Sequence, residues 1–291
     1  MKILVTGKNG QLGKSIHKIV NADNNYSSDE FIFVGREELD LSCEDNISNY
    51  FEKNKFDTVI NCAAYTLVDK AEKEEELADQ INHLALKQLA IIANKQKARL
   101  IHISTDYVFD GESSKSYIES DLPNPINVYG KTKLAGEKVL LKLMPANAII
   151  IRTSSLYSEF NNNFVKTMLR LVKEKEELSV VNDQISSPTY ASDLADVILK
   201  IIDNKVFRTE GQSSEIYHYS NEGKASWYEF AQEIFEIKGV QCKIKPVSTE
   251  QYLSLNQRPK NSLMNKTKII KVFNIKIPNW KFSLNTCIGL L

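Results

Sequence analysis

No run of apolar residues in this chain approaches the ~20 needed to span a membrane. Met1 opens directly into KILVTG, without the long apolar core of a secretory leader. A cytoplasmic protein with no membrane partner is therefore expected. Charge of one sign is also missing: Lys plus Arg number 37, and so do Asp plus Glu. Without a basic block interleaved with aromatics, nothing points to a polyanion, and no nucleic-acid partner is expected. The cysteines are few, Cys43, Cys62, Cys242 and Cys287, and none has C-x-x-C spacing. Two of them sit in apolar runs, where a thiol packs as a small hydrophobe, and the pattern fits a reducing compartment. Long repeats and low-complexity linkers are likewise absent.

What is present is 291 residues, 42% hydrophobic and 25% charged, enough for one large core and a smaller second lobe. The first half repeats a short aliphatic run, a turn and a longer stretch of helical periodicity. The runs are KILVTG (2–7), FIFVGR (31–36), TVINCAA (58–64), RLIHIST (99–105) and AIIIRTSS (148–155). Each has the length of a buried strand, and helices are expected between them at about 11–21, 43–53, 76–96 and 128–143. Such alternation predicts an α/β fold of Rossmann type, a doubly wound parallel sheet with helices on both faces. Beyond residue 155 the rhythm loosens. FVKTMLRLVKE reads as helix, LSVVND as strand and SDLADVILKIID as helix, and Ser226 with Glu229 has the spacing of a capping box. The expected division is a cofactor domain over 1–155, completed by about 177–203, and a discontinuous α+β substrate lobe from 156–176 and 204–291.

TGKNGQLG places Gly7, Gly10 and Gly13 at three-residue spacing between the first strand and the first helix. Glycines there permit a tight turn and close backbone approach, so that a helix N-terminus meets a pyrophosphate. A lone motif of this kind is weak, but strand, helix and position agree. Ligands of an open parallel sheet bind beyond the carboxyl ends of its strands. Those ends hold Gly7, Gly35-Arg36, AAYT (63–66), STDY (104–107) and RTSS (152–155). Turns favour Ser, Thr and Asp in any case, so composition alone accounts for part of this. Arg36 suits the 2′-phosphate of NADPH through charged hydrogen bonds, with NADH still usable.

Tyr129 and Lys133 stand four apart in NVYGKTKLAGE, one helical face. An ammonium beside a phenol lowers the phenol's pKa from ~10 toward neutrality, which makes the tyrosine a usable general acid. Thr105, at the end of the fourth run, is a candidate third member. About one Tyr-x-x-x-Lys is expected by chance among the 12 tyrosines, so the spacing gains weight only from its companions.

Those companions are TGKNGQLG, NCAAYTLVDKAE, STDYVFDG, NVYGKTKLAGE, NNNFVKTMLR, DQISSPTYASDLAD and SWYEFAQEIF. Together they resemble the extended short-chain dehydrogenase/reductase family, and within it the reductases of dTDP-linked 4-keto-6-deoxy sugars. The resemblance implies that Tyr129 donates a proton, Lys133 binds the nicotinamide ribose and tunes Tyr129, and Thr105 bonds the reacting oxygen. It implies that Gly7, Asn9, Gly10, Gln11, Leu12, Asp40, Leu41, Ala63, Ala64 and Tyr65 line an NADPH site. Asp106 and Tyr107 would touch the sugar nucleotide, and Arg258 of RPKNS its diphosphate. Two places depart from the family pattern. Ser155 stands where a tryptophan often follows RTS and covers the sugar. Lys14-Ser15 and Ala191-Ser192 occupy the neighbourhoods where some members carry glutamates that hold magnesium between subunits. Hard cations need oxygen ligands, so no metal is expected, and the chain is expected to be a monomer or a weak homodimer without bridging magnesium. A reductase or epimerase of another nucleotide sugar and a non-catalytic NADP-binding subunit remain as alternatives.

Overall fold

Why the five early runs are apolar throughout is plain from the computed structural model, which describes residues 1–252 and 256–291. In strand β1 (Lys2–Thr6), Ile3 and Val5 enter a core with Leu194 and Ile198, while Leu4 enters a second core with Leu86 and Leu89. A sheet covered on both faces has no polar side, so its strands carry no polar alternation. The other strands are β2 (Glu30–Val34), β3 (Thr58–Asn61), β4 (Arg99–Thr105), β5 (Ala148–Thr153) and β6 (Glu215–His218). Their order is β6-β5-β4-β3-β1-β2 and every pairing is parallel. The chain runs outward in opposite directions from β1, through β2 on one side and β3 on the other, which opens a crevice at the carboxyl ends.

Helix Gln11–Ala22 buries Leu12 and Ile16 against one face and begins at Gly10, whose position supplies no side-chain cap. Its first N–H groups are thereby left to whatever lies in front of them. Helix Val128–Leu143 starts where Asn127 accepts the Gly130 N–H at 2.8 Å. The helix expected over 76–96 is a longer segment in three parts, Glu75–Asp79, a π turn at Gln80–Leu84, and Ala85–Gln96.

The division into sheet and lobe differs from the sequence reading in two places. Strand Glu215–His218, expected in the substrate lobe, is the sixth strand of the main sheet, beside β5. Strand Glu177–Val181, expected to complete the cofactor domain, pairs instead with Lys243–Val247. Both pairings join segments more than sixty residues apart, a choice that local pattern does not encode. Helix Ala191–Asp203 does pack on the sheet, through Leu194, Ile198 and Ile201. A further core gathers Tyr157, Val165, Phe230, Trp280 and Leu284. There Ser226 and Glu229 form the expected capping box, closing helix Trp227–Lys238. The four cysteines are free, and among the described residues no helix is long and apolar enough to cross a membrane.

Candidate active site

The carboxyl ends of the strands open into one cavity of about 750 Å³. Gly7 lies at its floor with φ +71°, and a side chain there would come within 2.9 Å of the Ala63 nitrogen. Gly7 therefore provides both the turn and the close approach of two strand ends. Gly13 does something else: a Cβ would meet the Gly7 carbonyl oxygen at 2.3 Å, so it seats the helix on the turn and does not line the cavity. Gly10, with the uncapped helix start behind it, lines it, as do Asn9, Gln11 and Leu12. A bare helix N-terminus over a glycine turn fits a pyrophosphate, so the chain's own backbone suits a dinucleotide.

On the second wall Arg36, Asp40 and Leu41 line the cavity. Arg36 Nε donates to Asp40 Oδ2 at 3.1 Å, and Asp40 also accepts from the Ser42 N–H and hydroxyl. Glu38 turns to the Gly35 N–H and Lys8, and neither Glu37 nor Glu38 reaches the cavity wall. The exposed guanidinium is the cation left at this end of the cavity. Arg36→Ala is expected to raise the KM for NADPH about tenfold, the scale of a lost charged hydrogen bond, and to leave that for NADH nearly unchanged. Equal losses with both cofactors in steady-state kinetics would contradict this.

Ala63 and Ala64 form the wall beyond β3, but Tyr65 does not. Its hydroxyl donates to Glu74 Oε2 at 2.6 Å and its ring packs with Ala71, Ala78 and Val128. Its backbone is held instead, the N–H donating to Asn82 Oδ1 at 2.9 Å, while Asn82 Nδ2 donates to the Tyr65 carbonyl and to Thr132 Oγ1. Asn82 sits in the π turn, buried, and ties the β3 loop to the Tyr129 helix. Arg258 also stands off the cavity wall, with Nη2 donating to both Asp69 carboxylate oxygens at 3.0 Å.

Thr105, Tyr129 and Lys133 do converge on the cavity. Thr105 Oγ1 donates to Asp106 Oδ1 at 3.1 Å and accepts the Tyr107 N–H at 3.1 Å. Burial pushes the Tyr129 phenol up to about 12, against the pull of a hydrogen bond to Thr105. This corrects the expectation that Lys133 brings Tyr129 toward neutrality. Desolvation of the phenolate outweighs any help from a lysine that is itself fully buried. Burial lowers Lys133 to about 7, with Glu137 acting the other way. Asp106 is raised to about 6, chiefly by burial, and its Oδ2 has no hydrogen-bond partner. The buried Ser104 hydroxyl, also on the wall, is unpartnered as well.

Tyr107 lies edge-on to Tyr129 with centroids 5.8 Å apart. Ser155 lines the cavity with φ +45°, an uncommon conformation for a residue with a side chain, and its hydroxyl is 2.7 Å from that of Ser186. Phe164 and Trp227 also line the cavity, ring centroids 4.7 Å apart. Neither was singled out from the sequence, although both lie in quoted blocks, because their meeting depends on how the lobe packs. Among the described residues no group of three or more His, Cys, Asp or Glu is placed to hold a metal ion.

Residues 1–291 match the family described as RmlD substrate binding domain. The dTDP-4-dehydrorhamnose reductase of Aggregatibacter actinomycetemcomitans is 40% identical over 289 residues, 97% of each chain. A dTDP-4-dehydrorhamnose reductase ortholog from Clostridium acetobutylicum superposes with a TM-score of 0.91 at 41% identity, over 100% of this chain and 99% of that one. The Bacillus anthracis dTDP-4-dehydrorhamnose reductase, solved in complex with NADP, gives the same TM-score and coverage at 37% identity.

Proposed function

The chain belongs to the RmlD substrate binding domain family, and from that membership we propose that it is an NADPH-dependent reductase converting dTDP-4-dehydrorhamnose to dTDP-L-rhamnose. The observation that carries the reading is the meeting of Thr105, Tyr129 and Lys133 in the cavity that also holds the glycine turn and Arg36. NADPH, when bound, supplies the hydride for the sugar's carbonyl carbon. Gly7, Asn9, Gly10, Gln11 and Leu12 hold its pyrophosphate side, and Arg36 is placed for the 2′-phosphate. Lys133 serves the ribose, and Tyr129 gives its phenolic proton to the oxygen that gains negative charge. Because burial keeps that phenol protonated at neutral pH, the donor form is the resting form. Thr105 orients the same oxygen by turning its hydroxyl to it from Asp106 Oδ1.

The finer claims also belong to this reading. The enzyme works without bridging magnesium, because Lys14, Ser15, Ala191 and Ser192 offer no carboxylate. It acts as a monomer or weak homodimer in the cytoplasm, with no nucleic-acid partner. The test is NADPH oxidation against a panel of nucleotide-linked 4-keto sugars. The reading stands if the dTDP-linked 6-deoxy-L-sugar gives the highest kcat/KM, and falls if another sugar does or none reacts.

Ser155 bears on sugar choice. Tyr157, two residues beyond Ser155, is buried with its hydroxyl donating to the Trp280 carbonyl at 3.4 Å. Tyr107, Phe164 and Trp227 therefore offer the aromatic surface for the deoxy sugar. Ser155→Trp is expected to leave kcat/KM for dTDP-4-dehydrorhamnose unchanged or raised. Loss of activity in a folded variant, with better turnover of another nucleotide sugar by the native enzyme, would show that Ser155 makes room for a different substrate.

A further inference from the structure

His102 is three residues before Thr105 in β4 and only 1% exposed. In sequence it is one polar residue inside RLIHIST, and the bland reading is a core histidine with satisfied nitrogens. Its partners say more. Nε2 lies 3.0 Å from Lys133 Nζ, and Nδ1 lies 3.1 Å from Asn61 Nδ2. Asn61 Oδ1 accepts from Thr6 Oγ1 at 2.7 Å, and Thr6 Oγ1 accepts the Ala63 N–H at 3.2 Å. Lys133 Nζ donates to the Ile103 carbonyl at 2.7 Å. A hydrogen-bonded chain thus runs beneath the cavity from the Ala63 wall, across β1, β3 and β4, to Lys133. Thr6, Asn61, His102 and Lys133 are each 1% exposed.

Burial, and then the charge of Lys133, hold the imidazole well below its ordinary pKa. It is neutral, with one donor and one acceptor nitrogen. With Thr6 donating to Asn61, the amide donates to Nδ1, and Nε2–H donates to an unprotonated Lys133 amine. With the amide reversed, Nδ1–H donates to Asn61 and Nε2 accepts from the ammonium. In either arrangement three of the four tetrahedral directions at Nζ are taken, by Cε, by Nε2 and by the Ile103 carbonyl. The fourth is left to the cavity that Lys133 lines.

We propose that His102 is a positioning residue for the reduction, fixing Lys133 Nζ through Nε2 on the helix face it shares with Tyr129. This rests on the reductase reading above. A side chain that acts only through Lys133 has no effect once Lys133 is gone, whereas one that merely supports β4 has the same effect with or without it.

The experiment is a double-mutant cycle of His102→Leu and Lys133→Met, with His102→Gln beside it. It reads kcat with the keto sugar, the NADPH dissociation constant by fluorescence titration, and thermal denaturation. His102→Leu should lower kcat about tenfold or more, since small misplacements of a catalytic group carry losses of that order, and should weaken NADPH binding. His102→Gln, whose carboxamide can stand near Nε2, should recover most of both. In the Lys133→Met background His102→Leu should change neither by more than about twofold. If His102→Leu does not fold, His102→Asn takes its place, keeping a partner for Asn61 and removing the one for Lys133. Equal factors in the two backgrounds, or native kcat and affinity in a folded His102→Leu protein, would overturn the proposal. Should the native protein bind NADPH but reduce no keto sugar, the reductase reading fails while the binding arm still decides on His102.

Discussion

Tyr129→Phe lowers kcat by about 10²-fold or more, the scale of a general acid's contribution, while NADPH affinity stays near the native value. The ring is retained, so its edge contact with Tyr107 and its packing against the Ala71 and Val128 cluster survive. On the proposed reading, what is lost is the proton donor. Thr105 is an aliphatic alcohol, which can orient the oxygen but does not give up its proton at neutral pH, and Lys133 is engaged by His102 and the Ile103 carbonyl. With the phenol gone, the alkoxide oxygen must take its proton from solvent. Pre-steady-state and steady-state NADPH oxidation measure the effect, and near-native turnover in the variant would remove Tyr129 from the acid's role.

Glu137→Gln is expected to cost about 3–5 kcal/mol of folding stability, the penalty for leaving a buried charge without its partner. Arg152 is 1% exposed and donates to Glu137 through Nε at 2.9 Å and Nη2 at 2.6 Å. Its guanidinium lies 5.1 Å from the Phe109 ring, and Nη1 reaches His218 Nε2 at 3.4 Å. Burial, then Arg152, lower His218 to about 3, so it is a neutral acceptor and offers no compensating charge. Replacing both partners, Glu137→Leu with Arg152→Met, should cost far less than Glu137→Gln, because no ion is then left in the core. Denaturant unfolding compares the two, and a larger loss in the double variant would show that shape and not charge pairing governs the cluster.

How much of this was readable in the sequence depends on the range of the interaction. The glycine turn, the first five strands and the start of the Tyr129 helix are set by neighbours within a few residues, and they stand where glycine spacing and periodicity place them. β6 and the Glu177–Val181 strand pair with segments far away in the chain, and the ranges expected from local pattern put them in the other unit. Thr105, Tyr129 and Lys133 line one cavity, a meeting that strand end and helical spacing permit and that only the companion motifs pointed to. The direction of the Tyr129 shift does not follow from sequence, because it is fixed by burial, which no spacing reveals. The family resemblance implies Tyr65 as a cofactor residue, yet Glu74, nine residues later, takes its hydroxyl. Arg258 looked free for a diphosphate until the fold brought Asp69 to it. Asn61 and His102 read as strand interior, since only the parallel register of β3 and β4 sets them side by side.

The central claim is that hydride goes to the sugar carbonyl carbon with a proton supplied by Tyr129. Incubating the native enzyme with dTDP-4-dehydrorhamnose and NADPH deuterated at the nicotinamide C4, followed by mass and NMR analysis of the sugar, tests it most directly. The expected result is one deuterium at the sugar C4 of dTDP-L-rhamnose for each NADPH oxidised by the transferred label. An unlabelled product, label at another carbon, or no NADPH oxidation would contradict it.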